Sequence, residues 1–133
     1  MRRLFLSLIF DIVELLKSIL ILLVAVEHLY ILWIEMFAWE TAGKKAFGGS
    51  LPDHLFTPTK KLAANQGLYN GFLAAGLIWS LLINDAIWSQ YIAAFFLSCV
   101  IIAAVYGAIS ASRKILIIQG LPAIAALTAL WLL

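Results

Sequence analysis

Charged residues are scarce in this chain of 133 residues: Lys, Arg, Asp and Glu make up 12% of it, whereas they make up about a quarter of soluble domains. Hydrophobic residues make up 65%, and the mean hydropathy is +1.05. This composition excludes an ordinary water-soluble domain. A formal net charge of +2 is also too small for a nucleic-acid-binding surface, so we expect no nucleic-acid partner.

Cysteine and catalytic motifs are nearly absent. The single cysteine, Cys99, cannot form an intramolecular disulfide, and there is no phosphate-binding loop or nucleophile elbow. His28 is the only histidine in an apolar run, which excludes a bis-histidine cytochrome made by one chain. Asp53 and His54 follow Pro52, and a solvated turn explains them better than a metal pair does. We therefore predict no cofactor and no metal.

What the chain does contain is four long apolar runs. About 20 apolar residues cross the roughly 30 Å hydrocarbon layer as a helix. Of the 16 charged residues, only Glu27 and Glu35 lie inside a run. Short connections after the second and third runs make neighbouring helices antiparallel. We predict an all-α integral membrane four-helix bundle, multi-pass in the inner membrane, with spans at residues 18–39, 62–83, 88–110 and 115–133.

Residues 1–17 precede the first span and contain Arg2 and Arg3 before an apolar stretch. Three further charges interrupt this stretch and no small-residue cleavage site follows, which favours an interfacial helix or a helical extension over a signal peptide. The loops after the first and third spans carry six Lys and Arg, against three in residues 1–17. Because positive loops resist translocation, the count favours both termini outside.

The tripeptide Gln-Gly-Leu occurs at residues 66–68 and 119–121, in each case six residues after the start of a basic pair. The two copies enter the membrane in the same direction, which is typical of two tandem helical hairpins. The alternative is coincidence, because basic residues commonly precede apolar spans.

Polar side chains inside the spans suggest a site, because burying a charge costs about 2.5 to 3.5 kcal/mol even on the lenient insertion scale. Glu27, His28 and Glu35 share one face of the first span, and four polar residues of the second span share another. If these faces converge, they line a polar cavity open to the basic loops. The alternative is that they only hydrogen-bond helices together. The candidate ligand-binding or proton- and ion-coupling residues are Glu27, His28, Glu35, Gln66, Tyr69, Asn70 and Gln119.

Small residues at a spacing of four predict close helix packing. Gly67, Gly71 and Ala75 show this spacing in the second span, and Ala103 and Gly107 show it in the third. Near the start of the fourth span, a proline at position 122 has no N–H to donate, which predicts an irregular helix beside the Gln119 amide.

Three motifs occur in one order along the chain. They are Glu27-His28-x-Tyr30-Ile31 followed by Glu35-Met36-Phe37-x-Trp39, then Asn65-Gln66-Gly67-Leu68-Tyr69-Asn70-Gly71-Phe72, and finally Gln119-Gly120-Leu121-Pro122-Ala123. Together they resemble the small four-span membrane proteins of the domain of unknown function 1304 family, from about residue 20 to the end. The resemblance implies a mainly bacterial integral membrane protein and supplies no reaction.

Three functional hypotheses follow. The first is a transporter-like protein that binds or moves a small molecule or ion, and that acts in the bilayer as a homo-oligomer. The second is an accessory subunit of a larger membrane complex. The third is a membrane enzyme that transfers a proton on an apolar substrate through a Glu and His28. The absence of a catalytic motif favours the non-enzymatic hypotheses.

Overall fold

The computed structural model describes all 133 residues, and no strand occurs among them. The all-α prediction is therefore confirmed. A π-helical turn, Trp39–Gly43, precedes α2, and another, Leu116–Gly120, joins α5 to α6 within one continuous helical segment. The helices are α1 (Arg2–Phe37), α2 (Lys44–Phe47), α3 (Phe56–Leu82), α4 (Ala86–Ser110), α5 (Arg113–Ile115) and α6 (Leu121–Leu132).

The connections between helices are short and capped. Asp85 caps α4, because its Oδ1 accepts hydrogen bonds of 3.0 Å from the backbone N–H groups of Ile87 and Trp88. Only two residues, 111–112, separate α4 from α5. Consecutive long helices therefore run antiparallel.

The long helices surround one apolar core. The α1 helix packs against α3 and α6, and α4 packs against the same two helices, so each long helix contacts two antiparallel neighbours. The core contains mostly small or β-branched side chains, which lets the backbones approach closely. Its buried members are Ile21, Val24, Ala25, Leu77, Ala93, Leu97, Val100, Ala123, Ala126 and Leu130.

Two predicted segments can be compared with the helices of the structure. Residues 1–17 form a helical extension, one of the two forms expected for this segment, because α1 continues through them without a break. The second long helix begins at Phe56 rather than near residue 62. Pro58 is compatible with this start because it lies in the first turn, where a backbone N–H has no intrahelical acceptor. The break in the chain lies instead around residues 48–52.

Polar contacts organise the segment between α1 and α3. The indole Nε1 of Trp39 donates to the Thr59 hydroxyl at 3.1 Å, and its ring lies 5.0 Å from the ring of Phe56, which is buried. The Lys60 ammonium and the Thr57 hydroxyl donate to the Glu40 carboxylate, and these hydrogen bonds lower the pKa of Glu40. The segment predicted as the one substantial loop is thus held against the start of α3.

Pro122 lies in the first turn of α6, directly after the π-helical turn Leu116–Gly120. The predicted irregularity therefore takes the form of a π-helical turn, a wider turn that commonly interrupts α-helices at such positions. Gln119 lies within it and is half-buried.

The residues predicted for helix packing divide into two groups. Gly67 is buried against α1, and Gly71 lies beside Leu32 of the same helix. In α4, Gly107 packs against Ile115. The side chains of Ala75 and Ala103 are instead exposed, and their neighbours Ala74 and Ala104 are fully buried in their place. The predicted packing rows therefore hold at Gly67, Gly71 and Gly107, whereas Ala75 and Ala103 face outward.

We expect the Gly67→Ala variant to be less stable than the wild type. A Cβ at position 67 would lie 2.8 Å from Cγ of Met36 and 3.1 Å from the backbone oxygen of Leu32, which cannot move independently of α1. Overpacking of this kind costs about 1 to 3 kcal/mol, against about 1 kcal/mol gained in helix propensity. Thermal unfolding of the purified protein measures the difference.

The matched control is Gly49→Ala, since a Cβ at position 49 meets no atom within 4 Å. It should leave the melting temperature nearly unchanged. Equal melting temperatures for the two alanine variants would show that α1 and α3 do not depend on this close approach.

Candidate functional site

A cleft of about 430 Å³ opens at the end of the helix assembly where α1 and α4 end and α3 begins. We call it the α1–α3 cleft. Its lining combines an apolar majority with a few polar groups, as small-molecule sites commonly do. The lining residues are Glu35 and Trp39, then Phe47, Ser50 and Leu51 of the connecting segment, Thr59, Leu62, Ala63 and Gln66 of α3, and Ser110 and Ala111.

Glu35 supplies the one ionisable side chain among these lining residues. Its Oε2 accepts a hydrogen bond of 2.9 Å from Nδ2 of Asn70, whereas its Oε1 has no hydrogen-bond partner in the chain. Asn70 Nδ2 also lies 3.2 Å from the backbone oxygen of Gln66. The carboxylate is therefore oriented by a neighbouring helix and keeps one oxygen available.

The packing of α1 on α3 explains this contact. Gly67 has no side chain, so its backbone lies directly against Glu35 and Met36. Asn70 follows three residues later, which places it near the same face of α3. The hydrogen bond from Asn70 to Glu35 is the only side-chain hydrogen bond between α1 and α3. The sequence predicted both residues for the site, but periodicity alone did not pair them.

No basic side chain lines the cleft. Lys44 Nζ lies 3.0 Å from a carboxylate oxygen of Asp53, and Lys60 Nζ lies 2.8 Å from one of Glu40. The other basic residues of these segments, Lys45, Lys61, Arg113 and Lys114, form no ion pair. Glu35 therefore has no direct basic partner in this chain.

Glu27 and His28 occupy different positions from the cleft residues. His28 is only 1% exposed, and its Nδ1 donates to the backbone oxygen of Val24 at 2.8 Å, within its own helix. Glu27 is half-buried, and its Oε1 is buried without a hydrogen-bond partner. Neither residue lines the α1–α3 cleft or bonds to the polar residues of α3.

The remaining predicted residues divide in the same way. Gln66 lines the cleft with Glu35, and Asn70 bonds to Glu35. Tyr69 is 56% exposed and meets Phe72 edge-on on the outer surface of α3. Gln119 makes no side-chain hydrogen bond within the chain. The structure thus brings Glu35, Gln66 and Asn70 together, and leaves Glu27, His28, Tyr69 and Gln119 outside this site.

Several cleft residues were not among the predicted site residues. Trp39 shares the helical face of Glu35 in the sequence, which was the one available signal for it. Phe47, Ser50 and Leu51 reach the cleft only because the connecting segment folds back onto α3. The periodicity of the sequence does not show that this segment folds back onto α3. These three residues could therefore not be predicted from the sequence.

Comparisons with known proteins agree with the motifs. A family described as "Protein of unknown function (DUF1304)" matches residues 22–131, and the chain belongs to this family. The uncharacterized protein YpaA of Lactococcus lactis subsp. lactis (strain IL1403) is 34% identical over 113 residues, which cover 84% of this chain and 93% of that protein. No solved structure matches the chain. The matched range contains Glu35, Gln66 and Asn70.

A double-mutant cycle on Glu35 and Asn70 should detect their hydrogen bond. We expect Glu35→Ala and Asn70→Ala to be non-additive, with a coupling free energy of about 0.5 to 3 kcal/mol, as for residues in direct contact through a hydrogen bond. Thermal unfolding of the wild type, both single variants and the double variant measures it. A parallel cycle on Glu35 and the exposed Asn65 should show no coupling, and a Glu35–Asn70 value near zero would contradict the observed contact.

Proposed function

We propose that the chain is an integral membrane protein that crosses the bilayer four times, with both termini outside. The segments 86–110 and 113–132 are long and apolar enough to cross a membrane. The α1 and α3 helices, of 36 and 27 residues, exceed the roughly 20 residues that a span needs. Large apolar side chains are exposed on every long helix, including Leu22, Phe72, Phe95 and Leu132, and lipid would cover them.

Cysteine labelling in intact cells tests this topology. In a Cys99→Ala background, we expect a membrane-impermeant maleimide to label Asn84→Cys, and to label Gly49→Cys and Ala111→Cys only after permeabilisation. The reason is that four spans place residues 49 and 111 on the side of the basic loops, opposite residue 84. If only α4 and the segment 113–132 crossed, Gly49→Cys and Asn84→Cys would label alike and Ala111→Cys would differ.

We further propose that the protein binds or moves a small molecule or ion through the α1–α3 cleft. One observation carries this proposal: Glu35 lines a cleft of about 430 Å³, its carboxylate accepts a hydrogen bond of 2.9 Å from Asn70, and it has no basic partner. Burying a charge is costly unless something compensates it. A ligand at Oε1 would supply that compensation, whereas a purely structural contact between α1 and α3 would need only a neutral amide.

Glu27 and His28 give the proposal a second part. They lie two turns along α1 from Glu35, a distance of about 12 Å at 1.5 Å per residue. The buried Oε1 of Glu27 has no partner, and unpaired ionisable groups inside spans commonly mark ion or proton pathways. We propose that Glu35 binds the ligand. Glu27 and His28, which lie further from the cleft along α1, then take part in moving the ligand or a proton that accompanies it.

The binding proposal is tested by thermal unfolding of the purified protein across a panel of ions and small organic compounds. We expect at least one compound to raise the melting temperature of the wild type saturably, because a ligand that binds only the folded state stabilises it. Glu35→Gln should weaken that response at least tenfold.

The matched control is Glu14→Gln. Glu14 pairs with Lys17 at 2.8 Å near the opposite end of the helix assembly, so this variant should respond like the wild type. If a compound stabilises wild type, Glu35→Gln and Glu14→Gln equally, Glu35 is not in its site. If no compound stabilises the wild type and Glu35→Gln raises its stability, the binding proposal fails.

A second candidate function is that of an accessory subunit or a member of a homo-oligomer. Every residue from Met1 to Ile12 is exposed, although α1 is helical there. Exposed apolar surface of this kind commonly marks an interface. Deletion of residues 2–12 would dissociate a complex held by this segment, as measured by native mass spectrometry, while leaving the response at Glu35 intact. The apolar residues concerned are Leu4, Phe5, Leu6, Leu8, Ile9, Phe10 and Ile12.

A further inference from the structure

We infer that the ligand of the α1–α3 cleft is a small organic cation: a protonated amine or quaternary ammonium group attached to an apolar body. This inference rests on the proposed binding function and adds the chemical class of the ligand. Three features of the cleft support it, namely its charge, the absence of basic side chains from its lining, and its size and apolar walls.

The first feature is charge. Glu35 is the one ionisable residue in the lining, and its Oε1 has no hydrogen-bond donor from the chain. Lys44 and Lys60 are paired with Asp53 and Glu40, and they do not line the cleft. An anion would therefore meet an uncompensated carboxylate, whereas a cation would form a charge-assisted hydrogen bond or ion pair with it.

The second feature is the position of the basic residues. Lys45, Lys61, Arg113 and Lys114 form no ion pair, and none of them lines the cleft. Positive helix ends also lie on this side, where α3 and α5 begin, so the helix dipoles do not decide the sign of the ligand. The preference for a cation therefore rests on direct contact with the Glu35 carboxylate.

The third feature separates an organic cation from a metal ion. No group of three or more His, Cys, Asp or Glu side chains occurs in the chain, and hard divalent cations require six to eight oxygen ligands. The cleft of about 430 Å³ is also far larger than a single ion needs, and six of its eleven lining residues are hydrophobic. A ligand with an apolar body would bury these walls.

Trp39 supplies an aromatic ring to the same lining as Glu35. Its indole is held by the hydrogen bond to Thr59 and by packing against Phe47 and Phe56. Indole faces attract ammonium groups more strongly than other aromatic rings do. A carboxylate together with a fixed tryptophan is a recognition pair suited to an alkylammonium group.

Three organic probes of similar size and one metal ion test the inference by thermal unfolding and calorimetric titration of the purified chain. The organic probes are benzylammonium, neutral benzyl alcohol and anionic phenylacetate, and the metal ion is Mg²⁺. We expect benzylammonium alone to bind saturably. Glu35→Gln should weaken its binding at least tenfold, Trp39→Phe should weaken it several-fold, and Glu14→Gln should bind it like the wild type.

Further outcomes separate this inference from the function on which it rests. Binding of benzyl alcohol, phenylacetate or Mg²⁺ that depends on Glu35, without binding of benzylammonium, would overturn the inference and leave the binding function standing. Binding of benzylammonium that Glu35→Gln leaves unchanged would overturn the inference as well. If Glu35→Gln does not fold, Glu35→Asp replaces it, and it should keep the preference for the cation over the alcohol at lower affinity.

Discussion

The close approach of α1 and α3 at Gly67 is the constraint on which the rest of the site depends. A glycine there lets the backbone of α3 lie against Glu35 and Met36, and a single added carbon would collide with them. At that distance the short side chain of Asn70 reaches the Glu35 carboxylate. Without Asn70, the Glu35 carboxylate would have no hydrogen-bond partner in the chain, and nothing would orient this charged group.

The segment between α1 and α3 completes the cleft through a different set of forces. Trp39, Phe47 and Phe56 form a compact aromatic cluster, and two lysines pair with acids around it. These pairs are exposed, so each contributes little to stability on its own. Glu35 nevertheless remains the one ionisable side chain in the lining of the cleft.

Much of the helical architecture was predictable, and the exact faces were not. Runs of apolar residues predicted the helical segments, and the four-residue spacing of Gly67 and Gly71 predicted a packing row on α3. The same spacing also selected Ala75 and Ala103, which are exposed, because in an apolar environment outward and inward positions carry similar residues. The rotation of each helix about its own axis is then decided by side-chain packing, which composition alone predicts poorly. The helical start of α3 at Phe56 was likewise not predicted, although Pro58 fits the first turn of a helix.

By itself the sequence determined the helical class, the apolar exterior and the family, because each depends on composition and local order along the chain. It also marked Glu35, Gln66 and Asn70 as polar residues that needed an explanation. Only the tertiary structure showed that these three lie apart from Glu27, His28, Tyr69 and Gln119. It also showed that Phe47, Ser50 and Leu51 line the cleft. The physical reason is that a side chain's partners depend on helix rotation and on contacts between residues distant in sequence.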